Sequence, residues 1–394
     1  MDNDNYYIKY IKYKTKYLEL KNRINENNKK IVGGSQDDCC NLHIEDAKLH
    51  FGSGGSNCII AITDDYVYKY FPLLVSPHDT TDEEITYYLN RYKYEIEIMK
   101  ILTNKIINNK LSPHIVKYYN DCTCNGTLDD IFKNCPSYIE HLLSNKQTNQ
   151  RCNLLFNNGY PKKLIKPMYV LKMEKITNML TNEIIRITKK KYWGDFELFL
   201  DVLFFQIFYT LETIKLQYLD YTHNDLFIRN ILVENNKYKS KQYIRYHYNN
   251  MIFDVPANII YIKIADFGFS KIDEKSCKKY GVKFVKNQYK DYFTIIYDIY
   301  NGANLGSLSL YRLVKDNNKL KIIDKYFNNF FDVKIINKII NNNKKHHLDM
   351  DWNNTLDEKF VKLIKLKEPL EYIKRFINIF PYNKKHKIVD EYGL

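Results

Sequence analysis

The segment that most restricts the fold is FELFLDVLFFQIFYTLETI, Phe196 to Ile214. A bilayer-spanning helix takes about 20 predominantly apolar residues, and here Glu197, Asp201, Gln206 and Glu212 interrupt the run. The segment therefore reads as a buried amphipathic helix, and no transmembrane span is expected. Burying it requires substantial surrounding structure, and 394 residues suffice for one large domain or two ordinary ones. The stretch that follows is polar: THNDLFIRNILV, Thr222 to Val233, places a His, an Asp and an Asn close together at the end of the hydrophobic run.

Hydrophobic residues at 45% with charged residues at 27% fit a folded globular protein and argue against disorder. Lys, Asn, Ile and Tyr are in excess, a bias that A- and T-rich codons produce, so the 36 Tyr point to no single function. For the same reason the net charge of +14 reads as a solvated basic surface, with nucleic-acid binding the weaker alternative. The eight Cys (39, 40, 58, 122, 124, 135, 152 and 277) show no repeated two-residue spacing of the zinc-ribbon kind. Reduced thiols are the simpler expectation; Cys122, Cys124, Cys135 and Cys152 with His141 form the alternative, a structural zinc site. The N-terminus carries no apolar run of the signal-peptide type, which argues against secretion.

Residues 1–38 form a basic, Tyr- and Lys-rich arm and linker, with Tyr6, Tyr10, Tyr13, Tyr17 and Leu20 on one helical face. The arm reads as a solubilising tail, or as a contact for another protein or a surface. Gly33 and Gly34 open the linker, with a protease site at Gly-Gly-Ser as the alternative. From Leu49 to about Ile62 two short strands flank a glycine turn, and Thr63 to Asp65 turn into the strand YVYKYF. A helix follows from Asp82, then a strand near HIVKYYND, a Cys- and Asn-rich insertion at about 121–161, and the strand PMYVLKMEKI. The remainder is mostly helical. A small strand-rich part followed by a larger helical part predicts an α+β chain of two lobes.

About 40 residues after HNDLFIRN, the stretch IKIADFGFS supplies Asp266, Phe267 and Gly268 at the end of an apolar strand. With His223, Asp225 and Asn230, these residues resemble the signature of the eukaryotic-type protein kinase superfamily. Upstream, Gly52, Gly54, Gly55 and Ile59 resemble its glycine loop, with Asn57 in place of the third glycine. Small residues there let backbone N–H groups approach phosphate oxygens.

The resemblance implies a role for each matching residue. Lys69 would neutralise the α- and β-phosphates and Val67 would cover adenine. Glu95 would pair with Lys69, with Glu97 as its rival; Met99 and Leu102 then fall on the inward side of the helix with Glu95. Asp225 would orient the substrate hydroxyl, while Asn230 and Asp266 would hold Mg²⁺ against the phosphates of ATP. Leu232 would lie beneath adenine, and the backbone of Glu174 to Ile176 would meet its edge. Residues 44–176 would form the strand-rich lobe and 177–394 the helical lobe, with an insertion at about 235–258.

Several positions depart from the family pattern. Asn224 stands where many kinases carry the Arg that meets an activation-loop phosphate. Phe227 replaces the usual Lys, and Arg229, which tyrosine kinases also carry, could supply the lost positive charge. No Ala-Pro-Glu follows Gly268, and the helix expected to anchor the catalytic loop through Asp291 begins early, which shortens the activation segment.

The Tyr-rich insertion, the basic N-terminal segment and Gly-Gly resemble serine/threonine kinases of amoeba-infecting giant DNA viruses. That resemblance implies transfer of the ATP γ-phosphate to a protein hydroxyl, with action in the host cytoplasm at the viral factory or in the virion. Two alternatives stay open: a small-molecule kinase of choline- or aminoglycoside-kinase type, and a nucleotide-binding pseudokinase.

Overall fold

The computed structural model describes residues 47–51, 58–75, 81–125, 163–189, 195–235, 238–282, 289–302, 309–336 and 369–393. The N-terminal arm, Gly52, Gly54, Gly55 and Asn57, and residues 126–162 lie outside them. The chain divides into two compact units.

The first unit contains the described parts of 47–64, 68–75, 119–125 and 163–172. It is built on a five-stranded sheet of order β1-β2-β3-β5-β4. The strands are β1 (Lys48–Phe51), β2 (Ile59–Ile62), β3 (Tyr66–Val75), β4 (Tyr118–Cys124) and β5 (Lys163–Glu174). β1 pairs antiparallel with β2, Leu49 opposite Ala61, and Thr63 to Asp65 turn into β3 as expected from the sequence. Strand β4 begins beyond HIVKYYND's first residues and runs to Cys124, inside the stretch assigned to an insertion.

Cys122 and Cys124 are each disulfide-bonded, which corrects the expectation of reduced thiols. A cystine sulfur has no thiolate to offer a metal, so these two residues drop out of the zinc alternative. Cys135, His141 and Cys152 lie outside the described residues, and among the described residues no cluster fit for a metal ion occurs.

The second unit holds the described parts of 65–67, 79–118 and 173–393. Its first helix, α1 (Asp82–Leu102), starts in a capping box: Glu84 N–H donates to Thr81 Oγ1 at 3.2 Å, and Thr81 N–H donates to Glu84 Oε2 at 3.0 Å. Three acidic residues in the first turn suit the positive end of the helix dipole. A short π-helical turn, Thr103–Ile107, closes it.

After β6 (Asn178–Met179) and α2 (Leu180–Thr188) comes α3 (Phe196–Gln217), the apolar run of the sequence. It is buried on nearly all faces rather than on one: Glu197 is exposed, but Asp201, Gln206 and Glu212 find partners inside the fold. Gln206 donates to the Ile260 carbonyl at 2.8 Å and accepts from Ile262 N–H at 3.0 Å. Asp201 accepts from Tyr326 Oη at 2.7 Å and from Arg375 at 3.0 Å. Glu212 accepts from the hydroxyls of Tyr248 and Tyr292. No helix among the described residues is long and apolar enough to cross a membrane.

β7 (Ile231–Val233), β8 (Gln242–Tyr248), β9 (Met251–Pro256) and β10 (Ile262–Ile264) follow. β7 sits between β6 and β10 in one sheet, and β8 lies between β9 and β11 (Lys387–Tyr392) in another. Asn249 and Asn250, at φ 45° and 63°, form the two-residue turn of the β8–β9 hairpin, which joins Tyr248 to Met251 in register. The remaining helices are α4 (Glu274–Lys279), α5 (Lys290–Asn301), α6 (Leu310–Leu313), α7 (Asn317–Phe327) and α8 (Pro369–Lys374).

Rings from these helices and from the second sheet complete the core around α3. Phe204 meets Phe330 at 5.0 Å between centroids, Phe208 meets Tyr372 at 5.1 Å, and Phe205 meets Phe253 at 5.0 Å. Tyr248, Tyr292 and Tyr326 fill this core with their rings and donate their hydroxyls to the carboxylates of α3. His114, fully buried, bridges the two sheets of this unit. Its Nδ1 lies 2.9 Å from the Ile262 carbonyl, which can only accept, so Nε2 accepts from Tyr246 Oη at 2.8 Å. Burial lowers its pKa to about 3.

Candidate active site

β7 and β10 pair antiparallel, Ile231 opposite Ile264, so the residue before one strand lies beside the residues after the other. Asn230 and Asp266 are brought together in this way, and Ala265 N–H donates to the Asn230 carbonyl at 2.9 Å.

The loop before β7 is held by carboxylates on α5. Asp291 Oδ2 accepts from His223 N–H at 2.6 Å and its Oδ1 from Asn224 N–H at 2.8 Å. Asp298, two turns further along, accepts from Ile228 N–H at 2.7 Å. Both aspartates are 2% exposed, and each satisfies backbone donors that burial would otherwise leave unpaired. Asp291 was expected as an anchor. Asp298 was missed, although a second Asp two helical turns on, within an apolar face, was a visible signal.

Asn230 Nδ2 donates to both the Asp225 carbonyl and Asp225 Oδ2, each at 2.7 Å. Arg229 donates to Asp225 Oδ1 at 2.7 Å, with its guanidinium 4.4 Å over the Phe227 ring. Arg229 thus sets a positive charge beside Asp225. Its side chain is 52% exposed, so the pair contributes little to stability and acts mainly on orientation. His223 is fully buried, and its Nε2 donates to the Ala265 carbonyl at 3.2 Å, which joins the two loops.

Asp266 and Asn224 are both left-handed, at φ 60° and 64°, a conformation that Asp and Asn tolerate better than most residues. Glu95 on α1 is buried whereas Glu97 is half-buried, and Met99 and Leu102 are buried on the inward side with Glu95. A Cβ on Gly268 would lie 2.9 Å from Glu95 Oε2 and 3.6 Å from Asp266 Oδ1. The Glu95 carboxylate thus packs against the Gly268 backbone, and a side chain at 268 would make it shift.

Glu174 N–H donates to the Lys117 carbonyl at 2.9 Å, and its carboxylate holds Lys263 Nζ at 3.1 Å and Lys117 N–H at 3.0 Å. The Lys263 pair, not anticipated from sequence, ties the end of β5 to β10. Leu232 is half-buried in β7 and Ile176 is buried. In the first unit Ile59 and Lys69 are buried, and Lys69 Nζ lies 5.3 Å from the centre of the Phe71 ring. Val67, on the same strand β3 as Lys69, is buried as well.

No family model matches the chain. Two proteins of Acanthamoeba polyphaga mimivirus, both named as candidate serine/threonine-protein kinases, do match it. One is 30% identical over 321 residues, covering 73% of this chain and 78% of the relative. The other is 28% identical over 219 residues, 50% of this chain and 43% of the relative. A crystal structure of a kinase domain overlays 62% of this chain and 57% of its own at 17% identity, but its TM-score of 0.30 carries no argument. The mimivirus relatives match a chain that holds Asp225, Asn230 and Asp266 on the segments flanking two paired strands, and the chain belongs to the protein kinase superfamily, among the kinase-like proteins of giant viruses.

Proposed function

We propose that the chain is a Mg²⁺-ATP-dependent protein kinase of the serine/threonine type. The observation that carries this reading is Asp225, whose carboxylate is oriented by Asn230 and Arg229 on a loop anchored by Asp291. Phosphoryl transfer asks a protein mainly for positioning and charge neutralisation, and this arrangement suits both.

Asp225 orients the acceptor hydroxyl and takes up its proton, and Arg229 moderates the charge of the carboxylate. Asn230 and Asp266 offer hard oxygen donors, the set that Mg²⁺ takes from a protein when phosphates and water complete its shell. Asn230 donates through Nδ2 to Asp225, which leaves Oδ1 as the atom of that side chain able to meet a cation. The bound ion would supply neutralisation of the phosphate oxygens. Lys69, with Glu95 as its partner, addresses the α- and β-phosphates, and Gly52, Gly54 and Gly55 admit them to the backbone. Ile59, Val67 and Leu232 enclose adenine. The Glu174 carbonyl and the Ile176 backbone meet its edge, since the Glu174 N–H is committed to Lys117. Residues 44–176 and 177–394 make the two lobes of this kinase.

The test is transfer of radiolabelled γ-phosphate by the purified chain to itself, to a generic protein mixture and to a panel of small alcohols, after recording its melting temperature with and without Mg²⁺-ATP. Ligand at about 100 times its dissociation constant adds about 2.7 kcal/mol to stability. A melting shift with label on Ser or Thr of protein is the expected result. Label on Tyr would change the acceptor class, label only in a small alcohol would make it a small-molecule kinase, and a shift without label would make it a pseudokinase.

A further inference from the structure

The metal-binding candidate Asp266 sits on a segment gripped from two sides by residues that the kinase signature does not include. On one side is Arg91 of α1, one turn before Glu95. Its guanidinium donates to the Gly268 carbonyl at 3.3 Å and lies 4.4 Å over the Phe269 ring. The Tyr87 ring stands on its other face at 6.0 Å. On the other side is Asn224 of the catalytic loop, whose Nδ2 donates to the Phe269 carbonyl at 3.2 Å and to Thr222 Oγ1 at 2.8 Å. Phe269 is 52% exposed, so burial does not account for the position of its ring; the cation above it does.

We propose that Arg91 and Asn224 form a clamp that holds Gly268 and Phe269, and thereby sets Asp266 for metal binding, without a phosphate on the activation segment. Asn224 occupies the position where an Arg would engage such a phosphate. A carboxamide cannot make that ion pair, but it reaches the Phe269 carbonyl directly. Arg91 makes the matching connection from α1, and the glutamate one turn later on the same helix, Glu95, closes on Gly268 from the adjacent direction. The planar guanidinium suits this place because one group donates along its edge to a carbonyl while its face covers a ring. Beyond Phe269 the chain is pinned by a reciprocal pair: Lys271 N–H donates to the Thr222 carbonyl at 2.8 Å, and Thr222 N–H to the Lys271 carbonyl at 2.9 Å. The clamp therefore acts on the four residues between Asp266 and Lys271. Arg91 is a positioning residue, not a catalytic one, and its link to metal use rests on the phosphotransfer reading above.

The experiment compares the full chain with its Arg91→Ala, Arg91→Lys and Asn224→Gly variants. Glycine at 224 removes the carboxamide while keeping a residue at ease with φ 64°. Two quantities are read: hydrogen exchange at the Ser270 and Lys271 amides, and the Mg²⁺ concentration giving half-maximal transfer. A hydrogen bond to a charged group is worth about 1.5–3 kcal/mol, so Arg91→Ala should speed exchange at these amides about tenfold or more. It should also raise the Mg²⁺ requirement several-fold while leaving the KM for the acceptor nearly unchanged. Arg91→Lys, which keeps the charge over Phe269, should recover part of both losses, and Asn224→Gly should reproduce them.

Unchanged exchange in Arg91→Ala overturns the clamp, whatever transfer does. Faster exchange spread equally over β8 and β9 also overturns it, since Arg91 would then support the fold at large. If exchange responds as expected but the wild-type chain transfers no phosphate, the clamp stands and the kinase reading falls, so the two failures are separable.

Discussion

Asp291 and Asp254 are equally buried, each 2% exposed, but they are satisfied differently. Asp291 accepts two successive backbone N–H groups, those of His223 and Asn224. Asp254, on β9, accepts the Arg245 guanidinium at 2.8 and 3.0 Å, His386 Nδ1 at 3.1 Å and Asn383 N–H at 2.8 Å. A carboxylate bonded to consecutive backbone donors fixes the path of the chain, which suits a loop that must present Asp225. A carboxylate bonded mainly to side chains of other segments fixes elements against one another, which suits the β8–β9 hairpin and the segment leading to β11. The second arrangement joins separate elements; the first sets the backbone of the loop that carries Asp225.

Substitutions can separate the two. The largest expected effect is on the side of chemistry: Asp225→Ala should lower phosphate transfer by about a thousandfold, within the 10²–10⁴ range for a lost general base. The Mg²⁺-ATP melting shift should persist; a variant as active as the wild type would remove Asp225 from the mechanism.

Next, Asp254→Ala should cost about 3 kcal/mol of stability, because it removes the carboxylate that accepts both Arg245 hydrogen bonds, while transfer per folded molecule stays unchanged. Denaturant unfolding checks the first part and initial rates the second. Loss of transfer at full folding would show that the sheet of β8, β9 and β11 serves the site.

Smaller, and diagnostic because it should strike both properties, is Asp291→Asn. The carboxamide keeps one acceptor and replaces the other with an N–H facing the backbone donor, at about 1–3 kcal/mol. Transfer should fall with stability; stability loss with intact transfer would mean that Asp291 does not hold the loop.

The smallest effect is on acid stability. Burial alone would raise the Asp254 carboxyl, but the Arg245 hydrogen bonds, the Asn383 N–H and the Arg245 charge outweigh it and hold the group below 3.8. A depressed pKa in the folded state gives a stability contribution that is complete above the unfolded value and is lost as pH falls through the folded one. Between pH 4 and the acid limit the wild type should therefore lose stability more steeply than Asp254→Ala, by less than the full cost of the substitution. Parallel unfolding curves would remove Asp254 from the acid response.

The local signals that sequence carries best are the ones the fold shows. The helix was read from Asp82 and the strand YVYKYF from Tyr66, and α1 and β3 begin at those residues. At the site, spacing placed Asp225 and Asn230 on one loop, and the Asn230 side chain does reach Asp225. Asp291 was expected from the kinase resemblance, as the leading Asp of the helix that anchors the catalytic loop. What was not legible depends on pairings between distant segments. Arg91 lies 177 positions from Gly268, and Lys263 lies 89 from Glu174, so no local pattern could join them. The helix Phe196–Gln217 was read as amphipathic because Glu197, Asp201, Gln206 and Glu212 interrupt its apolar run, yet Gln206 and Glu212 are buried. Their partners, Ile260, Ile262, Tyr248 and Tyr292, come from elsewhere in the chain.

The sheet of β8, β9 and β11 also bears on the order of folding. β8 and β9 meet through a two-residue turn, a closure that takes microseconds, whereas β11 joins β8 in parallel from far along the chain, with His247 and Glu391 144 positions apart. Loop-closure entropy rises only with the logarithm of that separation, so the distant strand is thermodynamically affordable, but it is kinetically late. Until it arrives, one edge of β8 presents bare backbone groups, and a refolding chain is open to pairing with another copy of itself during that interval.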